Sequence, residues 1–180
     1  MVTGLVLAAG AGRRLGQPKA ELIVRGERLI DHAVATLREG GCEDVIAVVR
    51  SAAVIAPGAR SVVNSAPDDG MGSSLRIGLA EVQANACVIL LVDQVGITAS
   101  DVAAVIAAHH AGADVVVARR SGHRSHPVLV AREWFDEFGQ AASGDRGARD
   151  FIDRHADLIE FLDFADQISD IDTPDDLQAL

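Results

Sequence analysis

Apolar residues fall along this chain in short unbroken blocks, separated by stretches with helical spacing. Gly4–Ala9 is apolar on both faces and predicts a strand buried from both sides, as in parallel sheets. Leu22-Ile23-Val24 is a short extended piece before the turn Arg25-Gly26-Glu27. Leu29, Ile30, Ala33, Val34 and Leu37 recur at helical spacing and predict a helix over 29–39 that stops at Gly40-Gly41. Val45–Val49 reads as the next strand, and Val62-Val63 begins a third that ends at Asn64. Ser73 or Ser74 can cap a helix through Leu75, Ile77, Leu79 and Val82. Cys87–Val92 is a strongly apolar strand that runs into Asp93, and Ser100-Asp101 opens a helix to about Ala111. Val115–Ala118, Pro127–Val130 and Leu158–Leu162 have strand character, whereas 132–138, 148–155 and 174–180 read as helices.

Strands alternating with helices at this spacing predict an α/β fold, a Rossmann-like three-layer sandwich around a mostly parallel sheet. With neither an internal repeat nor a low-complexity linker, the expectation is a single domain over residues 1–180. In such sheets ligands bind beyond the carboxyl ends of the strands. The loops after Ala9, Asn64 and Val92 should therefore share one crevice.

Composition narrows the class. The 180 residues are 49% hydrophobic and 3% aromatic, with no tyrosine, which suits an aliphatic core. No apolar run reaches bilayer-spanning length, and Met1-Val2-Thr3-Gly4 leads straight into a strand without a basic leader. The expectation is a soluble, cytoplasmic protein without a membrane partner, a monomer or weak homo-oligomer. Cys42 and Cys87 are too few and too far apart for a disulfide scaffold or zinc site. The net charge of −10 is uneven: residues 151–180 carry nine carboxylates against Arg154 alone. That speaks against non-specific nucleic-acid binding, which needs a broad basic face, and is compatible with a small basic pocket on an acidic body.

The pocket's candidate is Leu7-Ala8-Ala9-Gly10-Ala11-Gly12-Arg13-Arg14-Leu15-Gly16-Gln17-Pro18-Lys19. Lys19 is the only lysine among 16 Lys and Arg side chains. The position therefore asks for a compact ammonium on a flexible stem rather than a planar fork. Glycine-freed backbone N–H groups with nearby cations make a polyphosphate site. The segment is no Walker loop. As a dinucleotide GxGxxG its third glycine comes one residue late, and Pro18 stands where a helix should have begun. It predicts an extended loop round a triphosphate, with Arg13, Arg14 and Lys19 as charge partners.

Asp93, at the end of an apolar strand, is placed to hold a divalent cation, and Mg²⁺ takes few carboxylates plus phosphate oxygens and water. A partner can come from Asp170-Ile171-Asp172-Thr173-Pro174. There Thr173 caps the last helix with Pro174 in its first position, and Asp172 is the preferred second metal carboxylate over Asp170. Asn64 and the turn Asp69-Gly70-Met71-Gly72-Ser73-Ser74 offer N–H groups and hydroxyls to a base or phosphate; a plain helix cap explains each serine equally well. His123-Arg124-Ser125-His126-Pro127 can contact an acidic substrate or form an ordinary turn. His109 and His110 suit the negative end of a helix. Gly144-Asp145-Arg146-Gly147-Ala148-Arg149 is either an acceptor-phosphate loop or a simple connection.

Together these segments resemble the MobA-like nucleotidyltransferases, the molybdenum-cofactor cytidylyl- and guanylyltransferases. The likeness rests on the Leu7–Lys19 loop, Asn64 with Gly70-Met71 and Ser74-Leu75, Asp93-Gln94, His126-Pro127-Val128, the Gly144–Arg149 loop, and Asp170–Leu177. It implies a single Rossmann-like domain in which Leu7, Ala8, Ala9 and Gly10 contact base and ribose through their backbone. Gly12, Arg14 and Lys19 would hold the triphosphate, Asp93 and Asp172 would hold Mg²⁺, and His126 would lie on the acceptor side. Ala8-Ala9 resembles the cytidylyl members, which implies CTP and a phosphate-bearing acceptor such as molybdopterin. The sequence departs from the family at Val92 and Val95, where glycine and proline are usual, so the loop after the metal aspartate is expected to take another course. Some relatives are nicotinamide- or flavin-using reductases of a blue pigment from nicotine degradation.

The expected reaction moves CMP from CTP to a phosphate monoester and releases pyrophosphate. Lys19, Arg14 and the cation at Asp93 would act by positioning and charge neutralisation. The rival classes are an NAD(P)H-dependent reductase in the same crevice and a non-catalytic nucleotide-binding module.

Overall fold

A computed structural model describes residues 1–142, 148–165 and 168–178. In chain order its strands are β1 (Val2–Ala8), β2 (Ile23–Val24), β3 (Glu27–Arg28), β4 (Asp44–Val49), β5 (Arg60–Val63), β6 (Ala86–Leu91), β7 (Gln94–Val95), β8 (Val115–Arg120), β9 (His123–Ala131), β10 (Ile159–Phe164) and β11 (Ser169–Asp170). Its helices are α1 (Leu29–Glu39), α2 (Met71–Glu81), α3 (Ala99–His110), α4 (Phe135–Ala141), α5 (Arg149–Arg154) and α6 (Pro174–Gln178).

Every residue of β1 is buried, because β4 and β6 flank it in parallel and helices cover both its faces. Its side chains alternate between two cores. Leu5 and Leu7 pack with Ile46, Val48, Leu75 and Leu79, while Val6 and Ala8 pack with Ala47, Val49, Ile30 and Val34. The apolar run is thus divided between two layers: α1 and α3 lie over one, and α2, α4 and α5 over the other. Two glycines let helices pack closely on β1. A Cβ on Gly4 would stand 2.8 Å from Leu37, and one on Gly78 only 2.5 Å from Leu5.

The central sheet has seven strands in the order β10-β8-β9-β6-β1-β4-β5. It is parallel except at β9, which runs antiparallel to both β6 and β8. Between β8 and β9 the register shifts: Val117 faces Val128, but Ala118 faces Ser125. His126 and Pro127 are therefore extra residues on β9, and such a bulge re-aims a side chain.

Several boundaries differ from the sequence pattern. Helix α2 starts at Met71 behind Gly70 (φ 89°), not behind a serine cap, because the Ser73 hydroxyl turns back to the carbonyls of Gly70 and Ala66. Helix α3 is opened by Thr98, whose side chain and that of Asp101 cap each other's backbone N–H. The expected helix over 132–138 is a 3-10 turn at Arg132–Trp134 followed by α4. Cys42 and Cys87 are both buried, and burial pushes the Cys42 thiol up to about 12. Residues Gly144–Gly147 of the acceptor-loop candidate lie outside the described residues. No helix among the described residues is long and apolar enough to cross a membrane.

The pattern missed one small element that shapes the site. Strands β7 and β11 pair antiparallel, Gln94 opposite Asp170 and Val95 opposite Ser169. The Ile171 N–H donates to the Asp93 carbonyl at 3.0 Å, and Ile171 is completely buried. This ribbon brings the C-terminal segment beside the end of β6.

Candidate functional site

The carboxyl ends of β1, β4 and β6 open on a cavity of about 760 Å³. That is within the usual range for small-molecule sites. The glycine loop forms part of its wall, but it is not extended. Gly12 adopts φ 57°, where a Cβ would lie 1.9 Å from the Gln17 carbonyl oxygen. The chain turns tightly there, Leu15 N–H donating to the Gly12 carbonyl at 2.8 Å. It then returns, and Lys19 N–H donates to the Gly10 carbonyl at 3.3 Å. The loop thereby delivers Lys19 to the end of β1.

There the Lys19 ammonium donates to Asp93 Oδ2 and to Asp172 Oδ1, each at 2.5 Å. Burial works against its charge, but the hydrogen bonds and charges of Asp172 and Asp93 outweigh it and hold its pKa above the usual lysine value. Asp172 is held in place by the turn that follows it. The Asp176 carboxylate accepts from Asp172 N–H at 2.9 Å and from Thr173 N–H at 2.7 Å, and Asp176 N–H points back at Thr173 Oγ1. This is the cap expected at Thr173, with Pro174 in the first turn of α6. Asp170 is used differently, accepting from the Gln94 side-chain amide at 2.9 Å.

The other expected residues divide. Leu7, Ala9, Gly10, Gly12, Arg13 and Ser74 line the cavity, and Arg14 borders a smaller hollow beside Lys19 and Asp172. Ala8 is buried in the core behind the loop. Asn64 is buried, and its amide donates to Ser73 Oγ and Ser74 Oγ at 2.9 Å each. Its carbonyl oxygen accepts from Ala66 N–H at 2.8 Å. Asn64 and Ser73 thus spend their hydrogen bonds on the turn into α2.

His126 lines the inner part of the cavity with Val117, Val128 and Ile152. Its carbonyl accepts from Arg120 at 2.6 Å, and Arg120 is itself paired with Asp101 at 2.7 Å in the interior. Its Nδ1 is buried without a partner among the described residues. Burial, then the charges of Arg120 and Arg149, push its pKa down to about 4. The ring is a neutral group facing the cavity. Arg124 and Arg149 also line this side, Arg124 paired with Asp153 at 2.6 Å.

Sequence reasoning missed Arg50 and Asp68. Arg50 follows β4 as Asp93 follows β6, the first polar residue beyond an apolar strand, and that position was the available signal. Its Nε donates to the Ala9 carbonyl at 3.2 Å, and it donates to Asp68 Oδ1 at 2.8 Å.

The model of the MobA-like NTP transferase domain matches residues 4–158. The chain belongs to this family. Among its relatives is the nicotine blue oxidoreductase of Paenarthrobacter nicotinovorans, 35% identical over 195 residues that cover 99% of this chain and 96% of that protein. A probable molybdenum cofactor guanylyltransferase of Opitutus terrae is 48% identical over 50 residues, 28% of this chain and 25% of that protein. Among solved structures, Rv0371c of Mycobacterium tuberculosis H37Rv is 27% identical, with a TM-score of 0.85 over 99% of this chain and 96% of that one. A complex of Rv0371c with manganese gives a TM-score of 0.82 at 25% identity, with the same coverage. The chain is thus a MobA-like nucleotidyltransferase with the family's α/β fold.

Proposed function

We propose that this single-domain, cytoplasmic protein uses Mg²⁺ to transfer CMP from CTP to a phosphate-bearing acceptor, molybdopterin, with release of pyrophosphate. The observation that carries this reading is the convergence of Asp93 and Asp172 on the Lys19 ammonium, at the mouth of a nucleotide-sized cavity.

The donor set fits a hard divalent cation, since two carboxylates aim at one point already occupied by positive charge. No cluster of three or more His, Cys, Asp or Glu suited to a metal exists among the described residues. The remaining ligands would be phosphate oxygens and water, as Mg²⁺ prefers. The manganese complex of Rv0371c supports a divalent cation here. When bound, the cation would offset charge on the triphosphate. The chain's own part is positioning. Gly10 and Gly12 let the backbone approach phosphate oxygens, and Arg13, Arg14 and Lys19 supply charge. An oxygen of the acceptor phosphate attacks the α-phosphorus, and the bond to the bridging oxygen breaks. Its electron pair leaves with pyrophosphate. The acceptor is already ionised at neutral pH, so no general base is needed. Ala8-Ala9 supports CTP over GTP.

Lys19→Ala should lower pyrophosphate release by about 10²–10³-fold, the usual cost of one electrostatic stabiliser. Turnover near wild type with CTP, Mg²⁺ and acceptor would remove Lys19 from the mechanism. The full-length likeness to nicotine blue oxidoreductase favours a second reading, an NAD(P)H-dependent reductase. Thermal-shift measurements with CTP–Mg²⁺ and with NADPH separate the two: stabilisation by NADPH alone would replace the first reading.

A further inference from the structure

We propose that Arg13 and Arg50 form a second anion subsite of this cavity, one that takes a phosphate or pyrophosphate group, and that Asp68 keeps it closed in the ligand-free chain. The proposal rests on the reading above only in that a polyphosphate enters this cavity.

Two guanidinium groups from separate segments meet one carboxylate oxygen. Arg50 donates to Asp68 Oδ1 at 2.8 Å, and Arg13 donates to the same oxygen at 3.1 Å. All three residues line the cavity. One oxyanion between two guanidiniums is also how paired arginines hold a phosphate oxygen. A phosphate can therefore replace the carboxylate with little movement of either arginine. Arg50 is prepared for the exchange, because its Nε stays tied to the Ala9 carbonyl when Asp68 leaves. The trio carries a surplus positive charge that a single carboxylate cannot cancel.

Asp68 is suited to leave. Its side chain is 60% exposed and that of Arg13 78%, so turning the carboxylate into water sacrifices only weak, solvent-screened pairs. The two arginines hold its carboxyl below the usual aspartate value, Arg50 contributing most, so at neutral pH it competes as an anion. The fold does not need this contact to shape the turn. Asn64 and Ser73 already fix the entry to α2. Asp68 also plays no part in the Asp93–Asp172 pair. The resting cavity is thus internally neutralised at two places: the Lys19 ammonium lies between the cation-seeking carboxylates, and the Asp68 carboxylate lies between anion-seeking arginines.

The probe is inorganic tripolyphosphate in EDTA, titrated calorimetrically, which needs neither base, metal nor acceptor. Asp68→Ala and Asp68→Asn should bind it about three- to tenfold more tightly than wild type, the scale of exposed ion pairs. Asp69→Asn removes the same charge one residue away, where no arginine contact is made among the described residues, and should leave affinity unchanged. The gain should vanish in Asp68→Ala/Arg50→Gln. Equal gains in the Asp68 and Asp69 variants, a gain that survives loss of Arg50, or no change in either Asp68 variant would overturn the proposal. Turnover with CTP and Mg²⁺ is scored separately. Its absence alongside the expected anion gain would count against nucleotidyl transfer and leave the subsite standing.

Discussion

At the scale of single residues, the site's two most telling groups have opposite protonation behaviour. Lys19 stays charged because two carboxylates outweigh its burial. His126 stays neutral because burial and the charges of Arg120 and Arg149 disfavour a proton. Its folded pKa of about 4 lies below the ordinary histidine value near 6.5. Between those values the unfolded chain binds the extra proton, so stability is full above about pH 6.5 and declines as pH falls toward 4. Two measurements check this. The His126 ring proton should show no titration by NMR between pH 8 and 5. His126→Gln should flatten the part of the Tm-against-pH curve that lies in that window. A normal titration midpoint near 6.5 would mean that the ring is hydrated rather than enclosed. A neutral ring whose Nδ1 has no partner among the described residues suits a hydrogen bond to an uncharged part of a ligand, not a pairing with its phosphate.

At the scale of elements, the metal-side geometry depends on pieces almost too short to be called secondary structure. The ribbon of β7 and β11 carries Asp172 to Asp93, and the Thr173–Asp176 cap fixes its backbone. Asp176→Ala should leave the main sheet folded but loosen Asp172. We expect a modest fall in Tm, on the scale of about 1 kcal/mol for a lost cap, and weaker Mn²⁺ binding by EPR in the presence of CTP. Unchanged Mn²⁺ affinity would mean that the ribbon alone positions Asp172. These features also mark what could be read from the sequence. Buried parallel strands announce themselves as apolar blocks, so β1, β4 and β6, and Asp93 beyond β6, were plain. Thr173-Pro174 was equally legible as a cap. A two-residue strand has no periodicity to detect, and the ribbon was invisible. Arg50 and Asp68 are 18 positions apart and meet only through the tertiary fold. The Gly12 turn was misjudged as extended because the pattern shows which residue permits positive φ, not which way the loop then travels.

At the scale of the molecule, the cavity is where otherwise separate parts meet: the glycine loop, the end of β4, the turn before α2, the end of β6, the β9 bulge and the C-terminal ribbon all line it. A ligand that fills it should therefore stabilise the chain as a whole and not one edge. At a ligand concentration of 100 times Kd, binding to the folded state alone adds about 2.7 kcal/mol. For a chain of this size that is a rise in Tm of roughly 5–11 °C. CTP with Mg²⁺ should produce it in wild type, and most of it should disappear in EDTA or in Asp172→Asn, because the C-terminal segment then loses its link to the ligand. A shift of the same size in EDTA would mean that the nucleotide is held by the glycine loop and arginines without the carboxylate pair. The convergence of Asp93 and Asp172 on Lys19 would then be an ion pair of the resting fold and not a cation site.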